Sequence, residues 1–126
     1  MGRGACTGDY DNDGDIDIFI MNIDNACKFI RNNKGNENNW ILIDLKGTKS
    51  NRDGIGASVT VTTGETTQVA QKRSTTGYLS QGDPRLHFGL AQHNTIDKIE
   101  IKWPSGEIQE LTAVNPNQIL TVTEPE

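Results

Sequence analysis

The sequence predicts an all-β chain: a compact antiparallel sandwich or barrel, preceded by a short β-hairpin-like piece that carries an acidic loop. Three observations lead there. Apolar residues recur at every second position in short runs, clusters of turn-forming residues separate those runs, and no segment has a convincing helical period. The 126 residues, one third of them hydrophobic, allow one domain of modest core plus a short extra element.

The first element is the loop Asp9-Tyr10-Asp11-Asn12-Asp13-Gly14-Asp15-Ile16-Asp17. Carboxylates at alternate positions, with a glycine at the sixth, describe an oxygen cage for a hard divalent cation. Calcium takes about six to eight oxygens, and acidic groups at this spacing supply most of them. Asp9, Asp11, Asp13 and Asp17 stand at the side-chain ligand positions, and Asp15 offers its backbone carbonyl. Gly14 occupies the sharp bend that a Cβ would obstruct. Without metal these carboxylates repel one another, so the empty loop is expected to be poorly ordered. A solvated acidic turn is the plainer alternative, and the spacing argues for calcium.

An EF-hand would need a glutamate at the twelfth position and a helix beyond it. Position twelve is Ile20, and Ile16, Ile18 and Ile20 alternate with Asp17, Phe19 and Met21. That is a strand, so the loop lies between strands. The run Gly8-Asp9-Tyr10-Asp11-Asn12-Asp13-Gly14-Asp15-Ile16-Asp17-Ile18-Phe19 resembles the calcium loop of FG-GAP/VCBS-type repeats. The resemblance implies a partial blade of an integrin-like β-propeller.

Cys27 to Arg31 is a further short apolar run. Cys6 and Cys27 flank the acidic loop without any CxxC or Cys/His spacing, which argues against zinc. They are either a disulfide between neighbouring strands of an exported protein or two small apolar residues. The tract Asn32-Asn33-Lys34-Gly35-Asn36-Glu37-Asn38-Asn39 is polar and turn-prone, and reads as a linker.

Beyond it the alternation sharpens. Ile41, Ile43 and Leu45 share a face, as do Val59 and Val61, then Ile99, Ile101 and Trp103, then Leu120 and Val122. Lys98, Glu100 and Lys102 point the other way. Turns fall at Asn51-Arg52-Asp53-Gly54, Thr63-Gly64-Glu65 and Pro104-Ser105-Gly106, the last joining two strands as a hairpin. Seven or so short strands at this spacing describe a sandwich or barrel. Trp40 and Trp103 are expected to bury their rings.

This second part resembles the ASPIC/UnbV domain. The likeness runs through Asn39-Trp40-Ile41-Leu42-Ile43-Asp44-Leu45-Lys46-Gly47, Ser50-Asn51-Arg52-Asp53-Gly54-Ile55-Gly56-Ala57, Gly77-Tyr78-Leu79-Ser80-Gln81, Leu86-His87-Phe88-Gly89-Leu90, Trp103-Pro104-Ser105-Gly106 and Asn115-Pro116-Asn117-Gln118. Ala91 stands where the family usually has another glycine. In that family, as in relatives of cartilage acidic protein and in large bacterial proteins, the domain typically follows FG-GAP/VCBS repeats. The resemblance therefore implies a partial repeat at residues 1–33, a linker at 34–39, a β domain at 40–126, and a chain that is the C-terminal end of a larger repeat protein.

Charge and composition narrow the function. The net charge of −5 carries no basic stripe for a phosphate backbone, so nucleic acid is set aside. No apolar run reaches membrane-spanning length, and no signal segment opens the chain. Met1-Gly2-Arg3-Gly4 reads as a truncated start, so the missing signal says little about where the parent protein lives. The calcium-module reading is what places the parent at the cell surface, in the periplasm or outside the cell.

Candidate ligand contacts are Asn51, Arg52 and Asp53, where an arginine fork sits beside a carboxylate, and Tyr78, Ser80 and Gln81, a polar cluster with one aromatic. Self-contained turns explain both sets as well, with Arg52 and Asp53 pairing to pin the first. Ser80 and His87 are of hydrolase type, but no nucleophile elbow is present and a lone strand histidine is more often structural. The favoured reading is a non-catalytic calcium-binding module for adhesion or for protein or glycan binding. The alternatives are an accessory or enzymatic component of natural-product biosynthesis, a role the UnbV name implies, and a purely structural propeller cap.

Overall fold

A computed structural model describes residues 1–126. The chain forms ten strands and a single 3-10 turn at Gly35–Glu37, arranged as three sheets in two compact units. The all-β expectation holds, and the larger unit is a sandwich, not a barrel.

The larger unit comprises Asn38–Arg73 and Arg85–Glu126. One of its sheets orders β10 (Gln118–Thr123), β4 (Asn39–Lys46) and β7 (Leu86–Ala91); the other orders β6 (Thr66–Gln71), β5 (Ser58–Thr63), β8 (Ile96–Lys102) and β9 (Ile108–Val114). Ile41, Ile43, Leu45, Val59, Val61, Phe88, Leu90, Ile96, Ile99, Ile101, Trp103 and Val122 fill the space between. Each such side chain contributes about 1.5–3 kcal/mol when withdrawn from water, which gives this unit a core of its own. The sandwich is not purely antiparallel, because β10 runs parallel to β4, with Leu120 level with Ile43. Alternation along one strand fixes which residues face inward but not the direction of its neighbour.

The Trp103-Pro104-Ser105-Gly106 hairpin is present: Gly106 has φ of 95° and its N–H donates to the Trp103 carbonyl at 3.0 Å. Trp103 is buried and donates Nε1–H to Gln109 Oε1 at 3.0 Å. Trp40 departs from expectation and is only half-buried, since it lies at the start of β4 beside a register irregularity. Opposite the core face, Lys98 bridges Glu100 at 2.8 Å and Glu110 at 2.7 Å. The hydrogen bonds to Glu100 and then Glu110 hold its ammonium pKa at about 12.

The C-terminal strand ends in a buried anion. The Glu124 carboxylate accepts from the Thr48 and Ser50 backbone N–H groups at 2.9 and 2.7 Å, and from the Ser50 and Ser105 hydroxyls at 2.8 and 2.5 Å. One carboxylate thus ties the loop after β4 and the Pro104 turn to the end of β10.

The smaller unit comprises Met1–Glu37 and Ser74–Pro84. Its sheet orders β1 (Gly2–Gly8), β2 (Asp17–Asn22) and β3 (Lys28–Ile30), all antiparallel. None of the buried apolar residues belongs to it. The excursion Ser74–Pro84, read from sequence as part of the 40–126 domain, clusters instead with this unit. No helix is long and apolar enough to cross a membrane.

Candidate metal centre

The acidic loop joins β1 to β2, and its conformation follows from local chemistry. Asn12 and Gly14 take positive φ, 60° and 96°; asparagine tolerates that region and glycine enters it without penalty. The reversal lets the loop donate to its own first carboxylate. Asp13 N–H reaches Asp9 Oδ1 at 3.1 Å and Gly14 N–H reaches Asp9 Oδ2 at 3.0 Å. Asp13 Oδ1 in turn accepts from Asp15 N–H at 3.1 Å.

Asp9, Asp11 and Asp17 each present one oxygen to a common point, the three lying within 4.8 Å of one another. Two oxygens about 2.4 Å from one calcium ion can be at most about 4.8 Å apart, so the triad meets the geometric condition for sharing an ion. Asp9 and Asp17 are buried. The carboxylates of Asp13 and Asp15, two residues named from sequence with the other three, lie outside this group of side-chain oxygens. The sequence reading assigns Asp15 through its backbone carbonyl. Asp13 points toward Arg31, and Asp15 turns to the 3-10 segment, where its Oδ2 accepts from Gly35 N–H at 3.2 Å.

The acidic loop fits a hard cation by two tests. Its donors are all oxygen. Asp11 Oδ1 and Asp15 Oδ1 are buried and accept no hydrogen bond, a costly state for carboxylate oxygens unless a cation or water meets them. Burial, and then the charge of Asp13, pushes the Asp15 carboxyl above its ordinary value. The hydrogen bond from Asp15 N–H lowers that of Asp13, with Arg31 assisting.

The sequence reading missed the residues that hold the loop. Asn32 N–H donates to Asp17 Oδ1 at 2.8 Å, and Asn36 Nδ2 donates to the Asp13 carbonyl at 3.1 Å. The tract read as a linker thus wraps the cage. A Cβ on Gly35 would lie 2.5 Å from both Asp15 Cβ and Asn32 Nδ2. Arg31 and Asp83 also touch the loop, Asp83 accepting from Asp9 N–H at 3.3 Å. Tyr10 packs edge-on against Phe29, ring centres 5.2 Å apart. Only the Asn-rich composition beside the loop was a signal; Asp83, 74 residues away, left none.

Cys6 and Cys27 are free thiols. Cys6 lies on β1 opposite Phe19, and Cys27 precedes β3, so β2 runs between them. Two strand spacings make about 9–10 Å, beyond the reach of a disulfide.

The other candidate residues fall in two places. Tyr78, Ser80 and Gln81 line a cleft of about 480 Å³ together with Arg3, Phe19 and Met21. Within that segment Ser80 donates to the Tyr78 carbonyl at 3.3 Å. In the sandwich unit, Asn51 closes its own turn, accepting from Ile55 N–H and donating to the Ile55 carbonyl, both at 2.8 Å. Arg52 and Asp53 pair with each other at 3.2 Å on the surface, which contributes little to stability. His87 sits on β7 level with Leu42 of β4.

Comparison with known proteins adds the family context. The family model described as ASPIC and UnbV matches residues 47–126. Cartilage acidic protein 1 of Mus musculus is 26% identical over 133 residues, covering 99% of this chain and 20% of that protein. The Homo sapiens protein is 26% identical over 132 residues, covering 98% and 19%. That of Xenopus tropicalis is 28% identical over 113 residues, covering 85% and 17%. The chain spans about one fifth of the length of these relatives.

Proposed function

Because this chain belongs to the ASPIC and UnbV family, we propose that it is a non-catalytic, calcium-binding module of a larger repeat protein. It acts at the cell surface, in the periplasm or outside the cell, in adhesion or in binding a protein or glycan ligand. The observation that carries this reading is the cage: converging oxygens of Asp9, Asp11 and Asp17 beside buried carboxylate oxygens that no hydrogen bond satisfies. A bound calcium ion supplies the positive charge and the coordination those oxygens lack. Asp9, Asp11 and Asp17 hold it, while Asp13 and Asp15 shape the loop and add negative charge. Residues 1–33 are then one partial FG-GAP/VCBS-type repeat, and the cleft at Tyr78, Ser80 and Gln81 is its candidate ligand surface.

Calorimetric titration of chelator-treated protein with calcium, with magnesium as control, tests the reading. Saturable uptake near one equivalent of calcium, with magnesium much weaker, supports it. Absence of both heat and stabilisation overturns it. The double variant Asp11→Asn, Asp13→Asn should lose most of the affinity while its sandwich remains folded by circular dichroism.

A structural-cap role has its own support. Cross-strand partners share a face, so Cys6, Phe19 and Phe29 lie on one side of the small sheet and Thr7, Ile18 and Ile30 on the other. Phe19, Phe29, Ile18 and Ile30 are all exposed. A sheet apolar on both faces is an interior layer of a larger assembly, which fits further repeats of a longer parent protein packing against it. Sedimentation is the check: a stable monomer of this chain at high concentration counts against dependence on missing layers.

A further inference from the structure

We propose that Arg31 is the built-in counter-ion of the cage and limits its affinity for the metal, an inference that rests on the calcium reading above. Arg31 immediately follows β3. Its backbone neighbour Asn32 is anchored by the 2.8 Å bond to Asp17, so the arginine is held at the mouth of the loop. Its Nη2 lies 2.6 Å from Asp11 Oδ2 and 3.5 Å from Asp13 Oδ2.

Asp11 is therefore divided between two cations. One oxygen meets the guanidinium, and the other is buried and unpartnered. In the metal-free protein, Arg31 offsets the mutual repulsion of the loop carboxylates and keeps them gathered. When a divalent cation enters, the same positive charge repels it. The repulsion opposes binding, and the attraction opposes it to the extent that the ion draws Asp11 away from the guanidinium. The guanidinium cannot leave by losing its proton, which makes the opposing charge independent of pH.

The same contact has an opposite reading. If Arg31 acted mainly by orienting Asp11 toward the ion, its removal would weaken binding. The half-exposed position of Arg31, with 54% of its side chain in solvent, decides against strong orientation. A guanidinium so open holds geometry weakly, although the Asp11 side chain it meets is only 25% exposed. The guanidinium's charge still reaches the cage within a Debye length.

The test uses the full 126-residue chain as Arg31→Gln and Arg31→Lys, each titrated with calcium at low and high salt and melted in chelator. Arg31→Gln is expected to tighten calcium binding about tenfold at low salt, with a smaller gain at high salt. Its metal-free unfolding midpoint should fall, and Arg31→Lys should stay near wild type. Wild type binding calcium while Arg31→Gln binds equally, within about twofold, or more weakly overturns the proposal and leaves the calcium reading intact. Binding by Arg31→Gln alone supports both, since the counter-ion then masks the site. If neither protein binds calcium, the calcium reading fails and the proposal with it.

Discussion

Asp83 accepts a hydrogen bond from the backbone N–H of Asp9 at 3.3 Å, across 74 residues of chain. Its own N–H donates to the Thr7 carbonyl at 3.0 Å, and a Cβ on Gly8 would lie only 2.9 Å from its Cβ. An excursion within the region matched to the ASPIC and UnbV family therefore braces the first residue of the acidic loop. Under the calcium reading Asp83 is a positioning residue, not a ligand. Asp83→Ala is expected to weaken calcium binding by about fivefold, the equivalent of one modest hydrogen bond. Calorimetry against wild type reads this, and an unchanged Kd would show that the brace is idle.

The structure separates the loop aspartates into two sets. Asp9, Asp11 and Asp17 converge, while Asp13 and Asp15 turn to neighbouring groups. Asp17→Asn should therefore cost far more calcium affinity than Asp13→Asn, by at least about tenfold between the two. Parallel titrations decide it; equal losses would place Asp13 in the ligand set.

Gly35 is required where the 3-10 segment meets the cage. With Asp15 Cβ and Asn32 Nδ2 each 2.5 Å from where a Cβ would stand, Gly35→Ala forces the buried Asp15 or the Asn32 side chain to move. Amide exchange should speed up at Gly35 and Asn32, whose N–H groups bond to Asp15 and Asp17. Calcium affinity should fall with it. Exchange rates equal to wild type would show that the segment shifts freely.

Glu124 makes the sandwich sensitive to acid. Burial alone raises the pKa of a carboxyl, but the hydrogen bonds from Ser105, Ser50 and Thr48 outweigh it and hold the value at about 2, against an ordinary 4.5. A folded pKa below the unfolded one means stability that is present above pH 4.5 and is lost as pH falls toward 2. Glu124→Gln should lower the Tm at pH 7 by several degrees, since the amide presents N–H groups to donors. The gap from wild type should close between pH 4.5 and 2. Melts across that range test the sign, and a gap that does not change with pH would refute the assignment.

How much of this was readable in advance follows from the range of each signal. The strands of the sandwich were legible because alternation at Ile41, Ile43 and Leu45, and at Ile99, Ile101 and Trp103, records which face each residue buries. The Pro104 hairpin and the Asn51 turn were legible because their hydrogen bonds close within a few residues. The acidic loop was legible for the same reason, its bend at Gly14 and its bonds to Asp9 being local.

The sequence by itself determined the strand periods, the turn positions and the carboxylate spacing, all short-range features written in neighbouring side chains. Only the tertiary structure decided that β10 lies parallel to β4, that Trp40 stays half in solvent, and that Ser74–Pro84 joins the first unit. It also decided which aspartates converge, that Arg31 faces Asp11, and that Asp83 meets Asp9. The physical reason is that such contacts link residues far apart along the chain or set by cross-strand register. Their partners are chosen by packing and by the demand that buried polar groups be satisfied, not by any local pattern.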